Sequence, residues 1–276
     1  MRHWLIPAFL ILLLLNGCSW IRSWGDDDPD APAELVEFKA TLKVAQVWST
    51  KVGKGLDKAG RQLRPVYSSG FLYAADHKGL LMAIDADSGR QQWSIKTKLP
   101  FTGGPGISNT LLLMGTQNGE VFAFDASTGT QLWSATVSSE VLAAPSEAAG
   151  IVIVRCIDGR VFGLDADTGQ RLWIYDHDVP LLTLRGNAPP LLWAGVVYIG
   201  YDGGQVVALR LDDGTLMWEQ SLVTTEGRTE LDRLSDIDGQ MVIIASDLLV
   251  SSYKNRLASL AADSGRLLWF KNVSAA

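Results

Sequence analysis

The chain has 276 residues, of which 47% are hydrophobic and 20% are charged, and its formal net charge is −6. This composition is that of a globular protein, and the negative charge argues against a surface for nucleic acid or anionic lipid. The two cysteines, Cys18 and Cys156, are too few for a framework of disulfide bonds.

Residues 1–17 predict a signal peptide. Two polar residues precede an apolar run of 12 residues at 4–15, which is too short to anchor stably across a bilayer. The run ends in LNGC, which resembles a bacterial lipoprotein signal, in which cleavage before the cysteine is followed by lipid attachment to Cys18. By the same resemblance, Ser19 in place of aspartate points to the outer membrane. An uncleaved signal anchor is the alternative.

Residues 18–40 comprise the lipidated Cys18 and a predicted flexible, acidic linker. Four aspartates and two prolines lie between residues 26 and 32. We interpret this stretch as a solvated tether rather than a metal site.

The folded part, residues 41–276, opens with a predicted lone strand. Residues 47–50, VWST, look like the strands around later tryptophans such as Trp133, but no turn glycine precedes them. A propeller often closes its ring with such an N-terminal strand, which completes the last blade.

A motif built on tryptophan then recurs five times. Successive tryptophans are 40, 40, 45 and 51 residues apart, and a glycine precedes each by four residues. The tryptophans are Trp93, Trp133, Trp173, Trp218 and Trp269, and the glycines are Gly89, Gly129, Gly169, Gly214 and Gly265. A period of 40 to 50 residues with strand-forming composition is typical of a β-propeller.

The third copy shows how one repeat is built. Residues 151–156, 161–165 and 170–175 read as strands, and Asp158-Gly159 and residues 167–169 read as turns. We expect each tryptophan to wedge between neighbouring sheets. Cys156 alternates with two valines on one strand face, so we expect it in the core. The prediction is an all-β propeller of four-stranded antiparallel blades, whose core forms between repeats because one repeat cannot bury its own apolar face.

Five repeats and one strand do not close a ring tidily, because the chain ends seven residues after Trp269. We therefore expect a C-terminally incomplete propeller, with a small irregular ring as the alternative. We also expect such a segment to expose sheet edges and to self-associate.

The two longest repeats contain extra residues at the same position in the repeat, directly after a Trp strand. These additions lie within residues 176–190 and 221–238. Additions at one stage of a repeat fall on one face, which is often the binding face. Leucines beside Arg185 in the first addition, next to an acidic second addition, suit a protein partner. The alternative is that the leucines are core residues and the charges are solvated.

The sequence shows little evidence of the catalytic or metal-binding residues that an enzyme would need. No histidine has a neighbour at metal-ligand spacing, and the Asp-rich turns lack the bidentate glutamate of a calcium loop. Serines and threonines in these turns have no nearby base. We predict no catalytic residue, no metal and no cofactor.

The repeats, with the pattern Ala-x-Asp-x-x-[Ser/Thr]-Gly-x-x-x-Trp, resemble the pyrroloquinoline-quinone-type propeller family over residues 47–276. A closer resemblance is to the BamB family. It rests on the LNGC motif before an acidic linker, on LTLRG at residues 182–186 and on TELDRLSDID at residues 229–238.

That resemblance implies a non-enzymatic, eight-bladed scaffold of the outer-membrane β-barrel assembly (BAM) machinery, lipid-anchored and facing the periplasm. It implies binding to the POTRA domains of BamA, with unfolded outer-membrane proteins as a further candidate partner. The residues carried over for the BamA contact are Leu182, Leu184, Arg185, Asp236 and Asp238. Five repeats where the family has eight leave about three blades missing. The alternatives are a quinone-dependent dehydrogenase, which would need a vicinal cysteine pair and a calcium site, and another propeller lipoprotein that binds peptide or cell-wall ligands.

Overall fold

The part of the chain that the structure describes forms 21 β-strands and no α-helix, in agreement with the predicted all-β class. The structure is a computed structural model, and it describes residues 37, 39, 41–55, 62–180, 188–222, 236–253 and 256–272. Within these residues, no helix is long and apolar enough to cross a bilayer.

Twenty of the strands form five four-stranded antiparallel sheets within the unit Thr41–Val273, here called blades 1 to 5. Blade 1 consists of β2 (Val66–Ser68), β3 (Phe71–Ala75), β4 (Leu80–Asp85) and β5 (Gln91–Lys96). Blade 2 consists of β6 (Phe101–Ile107), β7 (Leu111–Thr116), β8 (Glu120–Asp125) and β9 (Gln131–Thr136). Blade 3 consists of β10 (Ser146–Ala148), β11 (Ile151–Arg155), β12 (Val161–Asp165) and β13 (Arg171–Tyr175). Blade 4 consists of β14 (Leu191–Trp193), β15 (Val196–Gly200), β16 (Gln205–Arg210) and β17 (Leu216–Ser221). Blade 5 consists of β18 (Val242–Ile244), β19 (Asp247–Ser252), β20 (Arg256–Ala261) and β21 (Leu267–Asn272). The remaining strand, β1 (Gln62–Leu63), pairs in parallel with β6.

Three strands of each predicted repeat match the structure closely, and the fourth is the one that the repeat motif did not show. In blade 3 the predicted strands correspond to β11, β12 and β13. The first strand, β10, has only three residues, too few for an alternating pattern to be read.

The core lies between blades, as predicted. Each main apolar cluster joins two consecutive blades: for example, Leu113 and Trp133 of blade 2 pack with Val154 and Phe162 of blade 3. The middle strands are therefore buried on both faces, and all six residues of β7 are buried. Cys156, predicted as a core residue, is fully buried in the same cluster.

Four of the five repeat tryptophans dock on the next blade, as expected. The indole N–H of Trp133 donates to the Ala166 carbonyl at 2.7 Å, and the ring lies against Gly169, where an added Cβ would come within 2.6 Å of it. Gly169 also has a φ of 72°, so this position needs glycine both for its turn and for the close approach of the indole. Trp93, Trp173 and Trp218 donate to the equivalent carbonyls of Ala126, Leu211 and Ala262.

Trp48 makes the same contact from a segment that is not a strand. Its indole N–H donates to the Ala86 carbonyl at 2.9 Å, and its ring lies against Gly89. Residues 47–50 have no strand pairing, so the predicted lone strand is wrong as secondary structure. The docking of its tryptophan is nevertheless the one that the motif suggested.

The last tryptophan differs from the others in its exposure, and this carries a prediction. Trp269 is 44% exposed, whereas Trp133, Trp173 and Trp218 are 7–9% exposed; within the described residues, no further blade packs on it. We expect concentration-dependent self-association in detergent by light scattering, because a bare apolar blade face favours contact with another copy. Trp269→Gln should shift the protein toward the monomer.

The matched control for that substitution is Trp193→Gln, since Trp193 is 43% exposed on the short strand β14. It should leave the association unchanged. A wild type that stays monomeric at every concentration would contradict the prediction.

Candidate functional site

Of the residues predicted from the sequence to bind a partner, the structure describes two. Asp236 and Asp238 precede β18 of blade 5. Cys18, Leu182, Leu184 and Arg185 lie outside the described residues. The two predicted loops are nevertheless related by their ends, because Pro180 packs against Gly203 and Gly203 donates its backbone N–H to Asp236 at 2.9 Å. Residues 180 and 236, one from each of the two predicted additions, thus meet at one turn of blade 4.

Asp236 is hydrogen-bonded to blade 4 and is buried rather than exposed to solvent. It is 0% exposed, and its backbone carbonyl accepts the N–H of Tyr253 at 2.9 Å. The next residue, Ile237, is also buried and donates its N–H to the Tyr201 carbonyl at 3.2 Å. Asp238 is only half-buried, so the two aspartates that the sequence placed together have different environments.

A buried ion pair lies beside these aspartates. Nη2 of Arg155 is 3.5 Å from Oδ2 of Asp202, and both side chains are at most 3% exposed. The guanidinium also stacks over the Tyr201 ring at 4.9 Å, a favourable cation–π arrangement. Carboxylate oxygens of Asp202, Asp236 and Asp238 lie within 4.8 Å of one another. Blades 3 and 4 and the approach to blade 5 thus bring one guanidinium and three carboxylates together.

Sequence reasoning missed Arg155, although the repeats contained a signal for it. The residue 18 positions before the repeat tryptophan is small in the other four repeats, namely Ala75, Gly115, Gly200 and Ser251, and it is Arg155 in the third. In blades 2 and 4 this glycine faces a branched residue of the next blade: Gly115 contacts Val141, and Gly200 contacts Ile237. The residue equivalent to Val141 and Ile237 in the fourth repeat is Gly186, which lies outside the described residues. In sequence, the large residue Arg155 thus occurs where the equivalent of Val141 and Ile237 is a glycine.

Burial shifts the pKa values of Asp202 and Arg155, and the attraction between the two opposite charges opposes both shifts. Burial raises the pKa of Asp202 to about 6; Arg155 opposes the rise, and Asp236 and Asp238 add to it. The pKa of Asp238 is also raised, first by burial and then by Asp236. Burial lowers the pKa of Arg155, against the carboxylates around it. Since arginine stays protonated in proteins, the cluster holds a permanent positive charge.

The three carboxylates are close enough to share a hard cation. The chain already supplies positive charge at this point, because the Arg155 guanidinium pairs with Asp202.

The aspartates in the turns before the Trp strands form hydrogen bonds within their own turn. Asp125, for example, accepts the N–H groups of Ser127 and Thr128 at 2.9 and 2.8 Å. Such bonds close the turn before each Trp strand.

A cavity of about 440 Å³ lies among the first strands of the blades. Five prolines line it, and four of them lie 28 residues before a repeat tryptophan: Pro65, Pro105, Pro145 and Pro190. Proline has no backbone N–H, so the cavity wall offers no amide donor at these four positions.

The comparisons with known proteins agree on one family. The sequence model of the family described as outer membrane protein assembly factor BamB matches residues 42–100 and 77–276. The outer membrane protein assembly factor BamB of Pseudomonas aeruginosa is 50% identical over 275 residues, which cover 99% of this chain and 71% of that protein. The crystal structure of BamB from Moraxella catarrhalis has a TM-score of 0.73 at 30% identity and covers 83% of this chain and 68% of that one.

A more distant likeness concerns the fold alone. The quinohemoprotein alcohol dehydrogenase of Comamonas testosteroni has a TM-score of 0.61 at 18% identity, over 77% of this chain and 43% of that one. It shares the propeller, which hosts unrelated functions. The family model, the 50% identity over nearly the whole chain and the Moraxella structure together show that this chain belongs to the BamB family of outer membrane protein assembly factors.

Proposed function

We propose that the protein is a non-enzymatic scaffold of the outer-membrane β-barrel assembly machinery and that it binds the POTRA domains of BamA. The family membership supports the assembly role. The observation that carries the binding site is the meeting of Pro180, Gly203 and Asp236 at one turn. It brings together one residue from each of the two additions that hold the proposed contacts.

The proposed contact surface comprises Leu182, Leu184 and Arg185 of the first loop and Asp238 of the second. Apolar anchors with an arginine and a carboxylate suit a compact protein interface. Asp238 keeps some solvent exposure, so it is the aspartate that we assign to direct contact. Asp236 is fully buried, and we assign it a supporting role beneath this surface rather than a contact with the partner.

We further propose that Cys18 carries the lipid and holds the protein at the outer membrane, facing the periplasm. The LNGC sequence at the end of an apolar run supports this assignment. Several acyl chains on one cysteine give a stable anchor where one chain does not. Unfolded outer-membrane proteins are a second proposed partner.

The absence of an enzymatic role in this proposal rests on the chemistry of the described groups. Burial raises the pKa of the Cys156 thiol to about 11, so this thiol is protonated at neutral pH and a poor nucleophile. The other cysteine of the chain is 138 residues away in sequence, whereas a quinone-dependent dehydrogenase is expected to have a vicinal pair.

The experiment that tests the function measures binding of the full chain, purified in detergent, to the POTRA region of BamA by biolayer interferometry. We expect micromolar or tighter binding, and a loss of at least about tenfold, or about 1.4 kcal/mol, in Arg185→Glu and in Asp238→Lys. Each substitution reverses a charge in the proposed contact.

Asp87→Lys is the control, because Asp87 is an exposed turn residue of blade 1 and the substitution makes the same change in charge. It should bind as the wild type does. No binding by the folded wild type would remove BamA as the partner, and equal losses in Asp87→Lys and Asp238→Lys would point to a non-specific charge effect.

A further inference from the structure

The buried charge cluster beside the two loops is an exception within the repeat. Arg155, Asp202 and Asp236 are each at most 2% exposed, yet the equivalent of Arg155 is alanine, glycine or serine in the other repeats. A buried charge is costly unless a partner offsets it. Such a cluster therefore points to a role beyond filling space between blades.

Asp236 acts through the backbone around it. Its side chain is sealed from solvent, so it cannot touch a partner directly. Its carboxylate accepts the Gly203 amide at 2.9 Å, and its carbonyl accepts the Tyr253 amide. These bonds, with that of Ile237 to Tyr201, fix the position from which Asp238 extends.

The positive charge next to Asp236 is itself held in place. The Arg155 guanidinium lies over the Tyr201 ring, and His177 stacks on Tyr201 with ring centroids 3.9 Å apart. The Tyr201 hydroxyl donates to the Gly159 carbonyl at 3.0 Å. Among the residues that the structure describes, none offers a hydrogen-bond partner to the three guanidinium nitrogens of Arg155, so within this part of the chain Arg155 acts on the carboxylates by charge rather than by directed bonds.

We propose that Arg155 and Asp202 are positioning residues for the partner site, because their buried ion pair keeps the Asp236 carboxylate on the Gly203 amide and so fixes the segment 236–238. Without the guanidinium, three carboxylates within 4.8 Å of one another would repel, since like charges this close oppose ionisation of one another. The raised pKa of Asp202, to which Asp236 and Asp238 both contribute, supports this interaction among them. The partner in this inference rests on the proposed function, but the fixing of the segment does not.

The first measurement is amide hydrogen exchange of the full chain in detergent, followed by mass spectrometry. In Arg155→Met, which keeps the apolar stem without the charge, peptides that contain the amides of Gly203 and Ile237 should exchange at least about tenfold faster, since a loss of about 1.4 kcal/mol in local opening gives that factor. The internal control is the equivalent contact between blades 2 and 3, in which Val141 donates to Thr116 at 3.1 Å. Its exchange should not change.

The second measurement completes a double-mutant cycle. Asp202→Asn leaves the guanidinium without its ion-pair partner, so Arg155 should draw the Asp236 carboxylate away from the Gly203 amide and the protection should also fall. The double variant Arg155→Met/Asp202→Asn removes one charge of each sign, so it should recover most of the protection and of the partner binding. Loss of packing alone would add up in the double variant instead of cancelling. This recovery also keeps the test decisive if one single variant folds poorly.

Arg210→Met is the matched control, because Arg210 forms an exposed pair with Asp212, and it should change neither readout. A wild type that binds while Arg155→Met binds equally well, or a double variant that is worse than both single variants, would overturn the inference. A wild type that does not bind at all would overturn the proposed function, and the exchange rates would still decide whether the ion pair fixes the segment.

Discussion

Replacing Trp133 by alanine should lower the free energy of unfolding by about 3–5 kcal/mol, the usual range for a buried tryptophan. Trp133 is 7% exposed and sits between blades 2 and 3, where its ring covers Gly169 and its N–H is bonded to Ala166. The substitution leaves a cavity at the interface and an unpaired carbonyl. Urea unfolding followed by circular dichroism, at concentrations where the protein is monomeric, measures the change.

The chain provides a control at the same strand position. Trp269 is 44% exposed, so Trp269→Ala should cost no more than about 1 kcal/mol under the same conditions, as for most exposed substitutions. If the two variants lost equal stability, docking between blades would not be the reason for the tryptophan.

Replacing Asp76 by alanine should lower the free energy of unfolding by about 3 kcal/mol, because it removes a buried carboxylate and leaves three part-buried backbone donors without their acceptor. Asp76 is 2% exposed. Its carboxylate accepts the backbone N–H groups of Lys54, Lys78 and Leu80 at 2.8–2.9 Å. One carboxylate thus closes a turn of blade 1 and ties down the segment that carries Trp48. Urea unfolding again gives the magnitude, and faster proteolysis near residue 54 would show that this segment is released.

The same residue predicts how stability changes in acid. Burial acts to raise the pKa of Asp76, but the three backbone N–H groups outweigh it and hold the pKa below the ordinary value of 3.8. A carboxyl with a lowered pKa in the folded state stabilises the fold above its unfolded pKa, and this contribution is lost as the pH falls through the folded pKa. Wild type should therefore lose stability below about pH 4 more steeply than Asp76→Ala.

Asp125→Ala is the control for the urea measurement. Its carboxylate also accepts backbone N–H groups, but in an exposed turn, where water can replace the lost acceptor. We expect a loss of no more than about 1 kcal/mol. A loss equal to that of Asp76→Ala would mean that burial of the donors is not what makes Asp76 important.

Much of the fold could be predicted because each repeat has its own local chemistry. Gly129, Gly169 and the tryptophans recur at fixed spacing, and a repeat that stacks on its neighbours imposes the same demands each time. The strand predicted around Trp48 is wrong because residues 47–50 resemble the strands around the repeat tryptophans in sequence alone. Here the indole alone docks, without a neighbouring strand to pair with.

The candidate site was predictable only in part. Spacing identified the two loops, and the resemblance named Asp236 and Asp238, but neither could show that Asp236 is buried. Arg155 could have been found as the large residue at a position where other repeats have alanine, glycine or serine. Its partner Asp202, from the next blade, carries no such signal.

The sequence by itself determined the repeat, its period and the identity of the docking residues, because turns and strand patterns depend on neighbours along the chain. Only the tertiary structure decided the environment of each charge, because Arg155, Asp202 and Asp236 come from three repeats and meet only when blades 3, 4 and 5 stack. Whether a carboxylate is a surface contact or a buried brace depends on the water that the neighbouring blades exclude, and that is a property of packing rather than of sequence order.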